Sequence, residues 1–120
     1  MNVCFDGVGQ VCATFLDGGV EAGQVVKITG RGTAGKCSAG DSFCGVALHS
    51  RAGACAVQVR GFVTVGYSGT VPGFGAAVLC ADGAGGVKTA AAAKEGDPVT
   101  GTSCLVADVD TTAKTVTILL

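Results

Sequence analysis

The chain has little of what most binding and catalytic sites are made from. Among its 120 residues there is no Trp, one Tyr, one Met, one His and two Pro, and charged residues make up only 14%. A net charge of −1, with Lys and Arg spread singly, leaves no basic footprint for nucleic acid. There is no acidic tail. With a single His and no C-x-x-C pair, a zinc site has no ligand set. The Asp residues never form a D-x-D-x-D-G loop, so calcium sites are not expected. No metal or other cofactor is expected. Long apolar runs are also missing. Residues 61–81 carry no charge, but Gly61, Gly66, Gly69, Pro72, Gly73 and Gly75 break the run into strand, loop and strand. That is not a membrane-spanning helix. Met1 to Asp6 has no basic region leading into an apolar core, so no signal peptide is expected.

What the chain does have is glycine, 21 residues of it, with abundant Ala, Val and Thr. Glycine costs about 1 kcal/mol against Ala in a helix interior, and close-packed strands accommodate this composition better. The mean hydropathy of +0.55 is high for a chain this small and points to surface covered by a partner. The seven Cys are Cys4, Cys12, Cys37, Cys44, Cys55, Cys80 and Cys104. The number is odd and several occupy strand positions where Val or Ala would serve. They are read as reduced, buried, small apolar side chains of a protein assembled in a reducing cytosol.

The pattern is organised around residues 40–67, two strands and a turn. The first strand spans about Phe43 to His49, the turn Ser50 to Gly53, and the second about Ala54 to Val65. In the second, Cys55, Val57, Val59, Val63 and Val65 alternate with polar residues, the period of a half-buried strand. Gly61 interrupts it, as at a bulge or bend where a sheet curls toward a barrel. Further strands are expected at Val25 to Thr29, Ala76 to Ala81, Val87 to Ala91, Gly101 to Val109 and Thr115 to Leu120, with a glycine loop over 30–35. A helix is possible only at Thr89 to Lys94. Residues 1–20 read either as an extended arm or as a first strand around Val11 to Leu16. The expected division is an arm over 1–20 and a β-barrel domain over 21–120. Val3, Phe5, Val11, Phe15 and Leu16, apolar without a clear period, are the candidate partner-contacting residues.

A faint internal repeat runs through this pattern. Gly23-Gln-Val-Val-Lys-Ile, a glycine loop, Gly40-Asp41, Gly45-Val-Ala-Leu and the strand from Ala56 form one series. Gly75-Ala-Ala-Val-Leu-Cys, a glycine loop, Gly96-Asp97, Gly101 and the strand from Thr115 form another. The loops differ in length, so no fixed period holds. The order points to a pseudo-symmetric barrel or sandwich built from two similar halves.

Catalytic patterns are weak. Gly40-Asp41-Ser42 has the look of an esterase turn, but the only histidine, His49, is not preceded by the Asp-x-x-His arrangement that would complete it. Cys44 and Cys55 flank His49 in apolar strands, the wrong setting for a reactive thiolate. Residues 30–36 (GRGTAGK) follow a strand but miss the phosphate-loop spacing, with Cys37 where Ser or Thr belongs. An enzyme is not expected.

Gly40-Asp41 followed by Gly45-Val-Ala-Leu, the strand running to Gly61-Phe-Val-Thr-Val, Pro72-Gly73, the Gly75-Ala-Ala-Val-Leu strand, the Asp82-Gly83 turn and the closing Thr115-Val-Thr-Ile-Leu-Leu strand resemble a family of small phage proteins. These are encoded beside capsid genes and are similar to capsid decoration (head-stabilising) proteins. The resemblance covers roughly Val20 to Leu120; the seven Cys and the N-terminal segment depart from it. It implies an all-β fold, a small β-barrel or β-tulip-like domain of short antiparallel strands with an extended N-terminal arm. It also implies a non-enzymatic virion protein, assembled in the host cytoplasm, that binds the major capsid protein on the outer shell and stabilises the expanded head, often as a homotrimer. No nucleic acid and no membrane partner are implied. The other readings are a tail, baseplate or head-fibre component, with the absence of heptads against a fibre, and a small carbohydrate- or peptide-binding module, for which Phe43, Phe62, Tyr67 and Phe74 are few aromatics.

Overall fold

A computed structural model describes residues 9–90, 96 and 99–120. Among these the fold is all-β, with ten strands: β1 (Val11–Asp17), β2 (Val25–Gly30), β3 (Thr33–Lys36), β4 (Gly45–Arg51), β5 (Ala54–Arg60), β6 (Phe62–Gly66), β7 (Gly75–Ala81), β8 (Val87–Thr89), β9 (Thr102–Asp110) and β10 (Thr115–Leu119). The first five close into a barrel in the order β1-β3-β2-β4-β5. The last five form a second sheet in the order β6-β10-β9-β7-β8.

The two sheets share one topology. A parallel bridge between Tyr67 and Val87 joins the edges of the second sheet, and the Ser68 N–H donates to the Val87 carbonyl at 2.9 Å. Read round through that bridge from β6, the order is β6-β8-β7-β9-β10, strand for strand that of the first barrel. The signs agree as well. In each half the first and third strands meet in parallel, Leu16–Asp17 against Thr33–Ala34 and Tyr67 against Val87, and every other pairing is antiparallel. The register slip recurs too: Leu48 is skipped between β4 and β5, and Ala107 between β9 and β10. The sequence repeat is therefore a structural one, with β2, β4 and β5 answering to β7, β9 and β10.

The long second strand expected from Ala54 to Val65 divides at Gly61 into β5 and β6, which belong to different sheets. Gly61 has φ of +100°, and a Cβ there would lie 2.7 Å from the Gly9 backbone. Only glycine lets the chain turn and cross at that distance. Gln58, 2% exposed, holds the turn: its Nε2 donates to the carbonyls of Arg60 (3.2 Å) and Phe62 (3.0 Å), and its Oε1 accepts from Gln10 (3.1 Å). The glycine loop expected over 30–35 is shorter than that, because Thr33–Lys36 is strand β3. Gly35 lies so close to Thr29 that a Cβ would come within 2.6 Å of its methyl, so glycine here serves strand packing rather than a loop. The Ala52-Gly53 hairpin has positive φ at both positions (53° and 82°), the geometry that matches strand twist in a two-residue turn. The possible helix at 89–94 begins in strand, since Thr89 ends β8; residues 91–94 lie outside the described set.

The described residues form two cores. The smaller contains Val20, Val26, Ala34, Ala47, Cys55 and Val57, with Phe15, Cys44 and Val59 packed against it. The larger contains Val63, Val65, Tyr67, Leu79, Ala81, Val87, Val106, Val116 and Ile118, together with Val25, Phe43 and Val46 from the first half. Phe43 is pinned by one hydroxyl: its N–H donates to Thr102 Oγ1 (3.0 Å), which donates to its carbonyl (2.7 Å). Ala81 exchanges backbone hydrogen bonds with Gly40 and Asp41, both at 2.9 Å. Burying an apolar side chain of this size contributes about 1.5–3 kcal/mol, so these three residues tie the halves into one body.

Candidate interaction surfaces

Of the five residues expected to contact a partner, Val3 and Phe5 lie outside the described residues. The other three sit on β1, an integral barrel strand paired with β5 and β3, so from Val11 onward the segment is the first strand rather than an arm. Strand alternation then separates Phe15 from Leu16, and a register shift sets Val11 apart. Phe15 faces Cys55 and packs against the smaller core. Leu16 points outward and is 59% exposed, and Val11 is 52% exposed.

No chemistry gathers around the catalytic candidates. Asp41 is engaged in its own turn, its carboxylate accepting from Lys27 Nζ and from the Ser38 N–H at 2.8 Å. Those two bonds, the lysine's first, hold its pKa below the ordinary carboxylate value. Ser42 and His49 are both exposed. Burial pushes the Cys37 thiol up to about 11, and also raises Cys44, Cys55 and Cys104. Protonated thiols are poor nucleophiles. Cys12, Cys37, Cys44, Cys55, Cys80 and Cys104 are free thiols. Residues 30–36 form a β2–β3 hairpin rather than a strand leading into a helix. Among the described residues no three His, Cys, Asp or Glu side chains group as a metal site, and no helix is long and apolar enough to cross a membrane.

What remains is apolar surface. On the outer face of the second sheet a row crosses four strands: Phe62 opposite Leu119, Leu119 opposite Leu105, and Leu105 opposite Ala76. These residues alternate with Val63, Ile118 and Val106 of the larger core and so point away from it. Leu105 is 41% exposed, and Phe74, which leads into β7, is 73% exposed. Beside the row the face turns polar at Thr64 and Thr117, whose hydroxyls meet at 2.8 Å. The matching row on the first barrel is Cys12, Gln58, Val46 and Val25, each opposite the next. Its last three members are buried, at 2%, 1% and 1% exposed, and Val46 and Val25 belong to the larger core. In the first barrel Val46 and Val25 of this row enter the larger core, whereas in the second sheet Leu105 and Ala76 are exposed and Phe62 and Leu119 half-buried. The residue list drawn from the sequence missed this row, because Leu105 and Leu119 lie on strands whose apolar content reads as core. No protein-family model matches the chain, and no curated protein matches it.

Proposed function

We propose that this chain is a structural virion protein that binds the outer surface of a phage capsid and stabilises the expanded shell. The observation that carries the reading is the combination of a stiff all-β body with apolar side chains left in solvent, among them Leu16, Ile28, Val71, Phe74, Val99 and Leu105. A chain of 11.6 kDa with so little charge gains by covering such side chains against a partner. The short motifs it shares with the decoration-like family supply the kind of partner, the major capsid protein. The work is mechanical: contacts spanning neighbouring capsid subunits add binding free energy to the expanded lattice, and several weak contacts from one assembly combine into tight attachment. A buried, amide-stapled crossover at Gln58 and Gly61 suits a part that transmits load between its two halves.

The test is co-sedimentation of the purified chain, under reducing conditions, with expanded shells of the major capsid protein of the same phage, the partner this reading requires. Saturable pelleting, and a rise in the temperature at which shells open, are expected. A chain that stays in the supernatant at saturating concentration overturns the reading.

A further inference from the structure

We propose that one end of the first barrel, built around Leu16 with Arg31 and Arg51 beside it, is the surface that grips the major capsid protein, at an apolar recess flanked by carboxylates. The inference rests on the capsid reading and names the face that carries it.

The backbone pairings assemble this end from all five strands. Arg51 opposes Ala54, Ala54 opposes Leu16, Leu16 opposes Thr33, and Thr33 opposes Gly30. Both hairpin tips close on the same point of β1. The Leu16 N–H donates to the Gly32 carbonyl at 2.8 Å, and the Asp17 N–H to the Gly53 carbonyl at 2.9 Å. Arg31, in the β2–β3 turn, and Arg51, the last residue of β4, therefore belong to the two hairpins that flank β1. Both arginines are exposed, and neither takes part in an ion pair among the described residues. Leu16 is 59% exposed, and Ile28, which lies just before this layer on β2, is 50% exposed.

The second half builds the same end without these side chains. Since Val116 answers to Cys55, Thr115 answers to Ala54, Asp110 to Arg51 and Gly66 to Leu16. The matched end thus carries the opposite charge and no apolar side chain. Space is not the reason, because a Cβ at Gly66 would meet nothing closer than 3.8 Å. The backbone asks for neither the arginine nor the leucine, so what they add is surface. An exposed aliphatic side chain flanked by guanidinium groups is the make-up of an interface anchor, and each guanidinium offers a planar fork of donors to a carboxylate. Asp17 follows Leu16 in the same layer, its carboxylate accepting from the Gly19 and Val20 N–H groups at 2.8 and 2.9 Å. An anion fixed there repels a phosphate chain or an anionic bilayer. A protein surface accommodates it, because each charge on such a surface finds its own partner.

The experiment is co-sedimentation with expanded shells of the major capsid protein of the same phage, in reducing buffer, on the wild type, Arg31→Glu, Arg51→Glu, Leu16→Glu and Lys114→Glu. The half-saturating concentration is the readout. Each of the first three variants is expected to raise it at least about tenfold. Lys114→Glu makes the same change of charge at the matched end of the second half and is expected to bind like wild type. Thermal midpoints report that the variants fold, and Leu16→Thr or Arg51→Gln replaces a Glu variant that does not. A wild type that pellets, with Arg31, Arg51 and Leu16 variants that pellet equally well, overturns this inference and leaves the capsid reading standing. So does a loss as large in Lys114→Glu, since binding then follows net charge rather than this end. Sedimentation velocity without shells tests the other occupant: a wild-type assembly that the three variants lose gives the surface to a second copy and overturns the assignment. A wild type that never pellets overturns the capsid reading and this inference with it.

Discussion

The two halves of this protein share their topology but not their interiors. At four matched buried positions the second half carries the larger side chain: Val87 for Ala34, Val106 for Ala47, Val116 for Cys55 and Ile118 for Val57. Phe15, in the place of Val65, goes the other way and helps to fill the first barrel. Small residues let the first sheet draw in until it closes. Larger ones hold the second open, so that its edges meet at a single bridge and Val25, Phe43 and Val46 from the first half complete its core. The same strand order thus yields a self-contained barrel and a sheet that needs its neighbour. The difference is one or two carbons per position, which a close-packed interior registers in full.

The sharpest way to break this comparison is to truncate the matched pair Val57 and Ile118, both fully buried. Ile118→Ala should lower the unfolding free energy by about 4 kcal/mol and Val57→Ala by about 2.5 kcal/mol, read from urea midpoints. Equal losses would mean that the second core gains nothing from its extra volume. At the crossover, Gly61→Ala must place a Cβ against the Gly9 backbone at positive φ, and should cost about 3 kcal/mol. Gly66→Ala, whose Cβ would meet nothing closer than 3.8 Å, should stay within about 0.5 kcal/mol in the same assay. Ala47→Val gives the first barrel the side-chain type of the second. Because that barrel is already closed, overpacking by about 1–3 kcal/mol is expected, and a neutral result would show room the closed sheet should not have.

The smallest effect concerns charge. Lys27 and Asp41 pair on the first half, while Val78 and Cys80 on β7 of the second carry no charge. The Asp41 pKa lies below 3.8, chiefly through the Lys27 hydrogen bond, and the Lys27 pKa lies above 10.5, chiefly through Asp41. A lowered carboxylate pKa stabilises the fold above its unfolded value, and that contribution is lost as pH falls through the folded one. A raised lysine pKa stabilises below its unfolded value and is lost as pH rises through the folded one. Asp41→Asn should therefore be less stable than wild type at neutral pH and lose less of its stability below pH 3.8. Thermal midpoints across pH read the difference, and parallel acid limbs would remove the pair from the account.

How much of this was legible beforehand follows from range. The strands were readable because alternation of Val with polar residues is local, and so was the repeat, because β2, β4 and β5 keep the Gly-Asp and Gly-Val-Ala-Leu punctuation that β7, β9 and β10 echo in part. The glycine at 61 was visible as an interruption. That it passes the chain from one sheet to another was not, because both flanking strands keep the same period. Strand β3 was hidden inside a glycine run whose Gly35 is needed by Thr29, a residue on the neighbouring strand. Val11 and Leu16, singled out from the sequence, are exposed, and so is Leu105, which the sequence does not single out. An outward leucine differs from an inward one by a single register step, and only strand pairing sets that step.

Composition and periodicity by themselves determined that the chain folds as β-structure in two related halves, since glycine excess and period two act residue by residue. Tertiary structure alone decided that one half closes and the other stays open, that Val25, Phe43 and Val46 cross to the neighbour's core, and that Val46 is buried while Leu105, its counterpart in the other outer row, faces solvent. Those outcomes depend on volumes and registers summed over five strands at once, and no short stretch of sequence contains that sum.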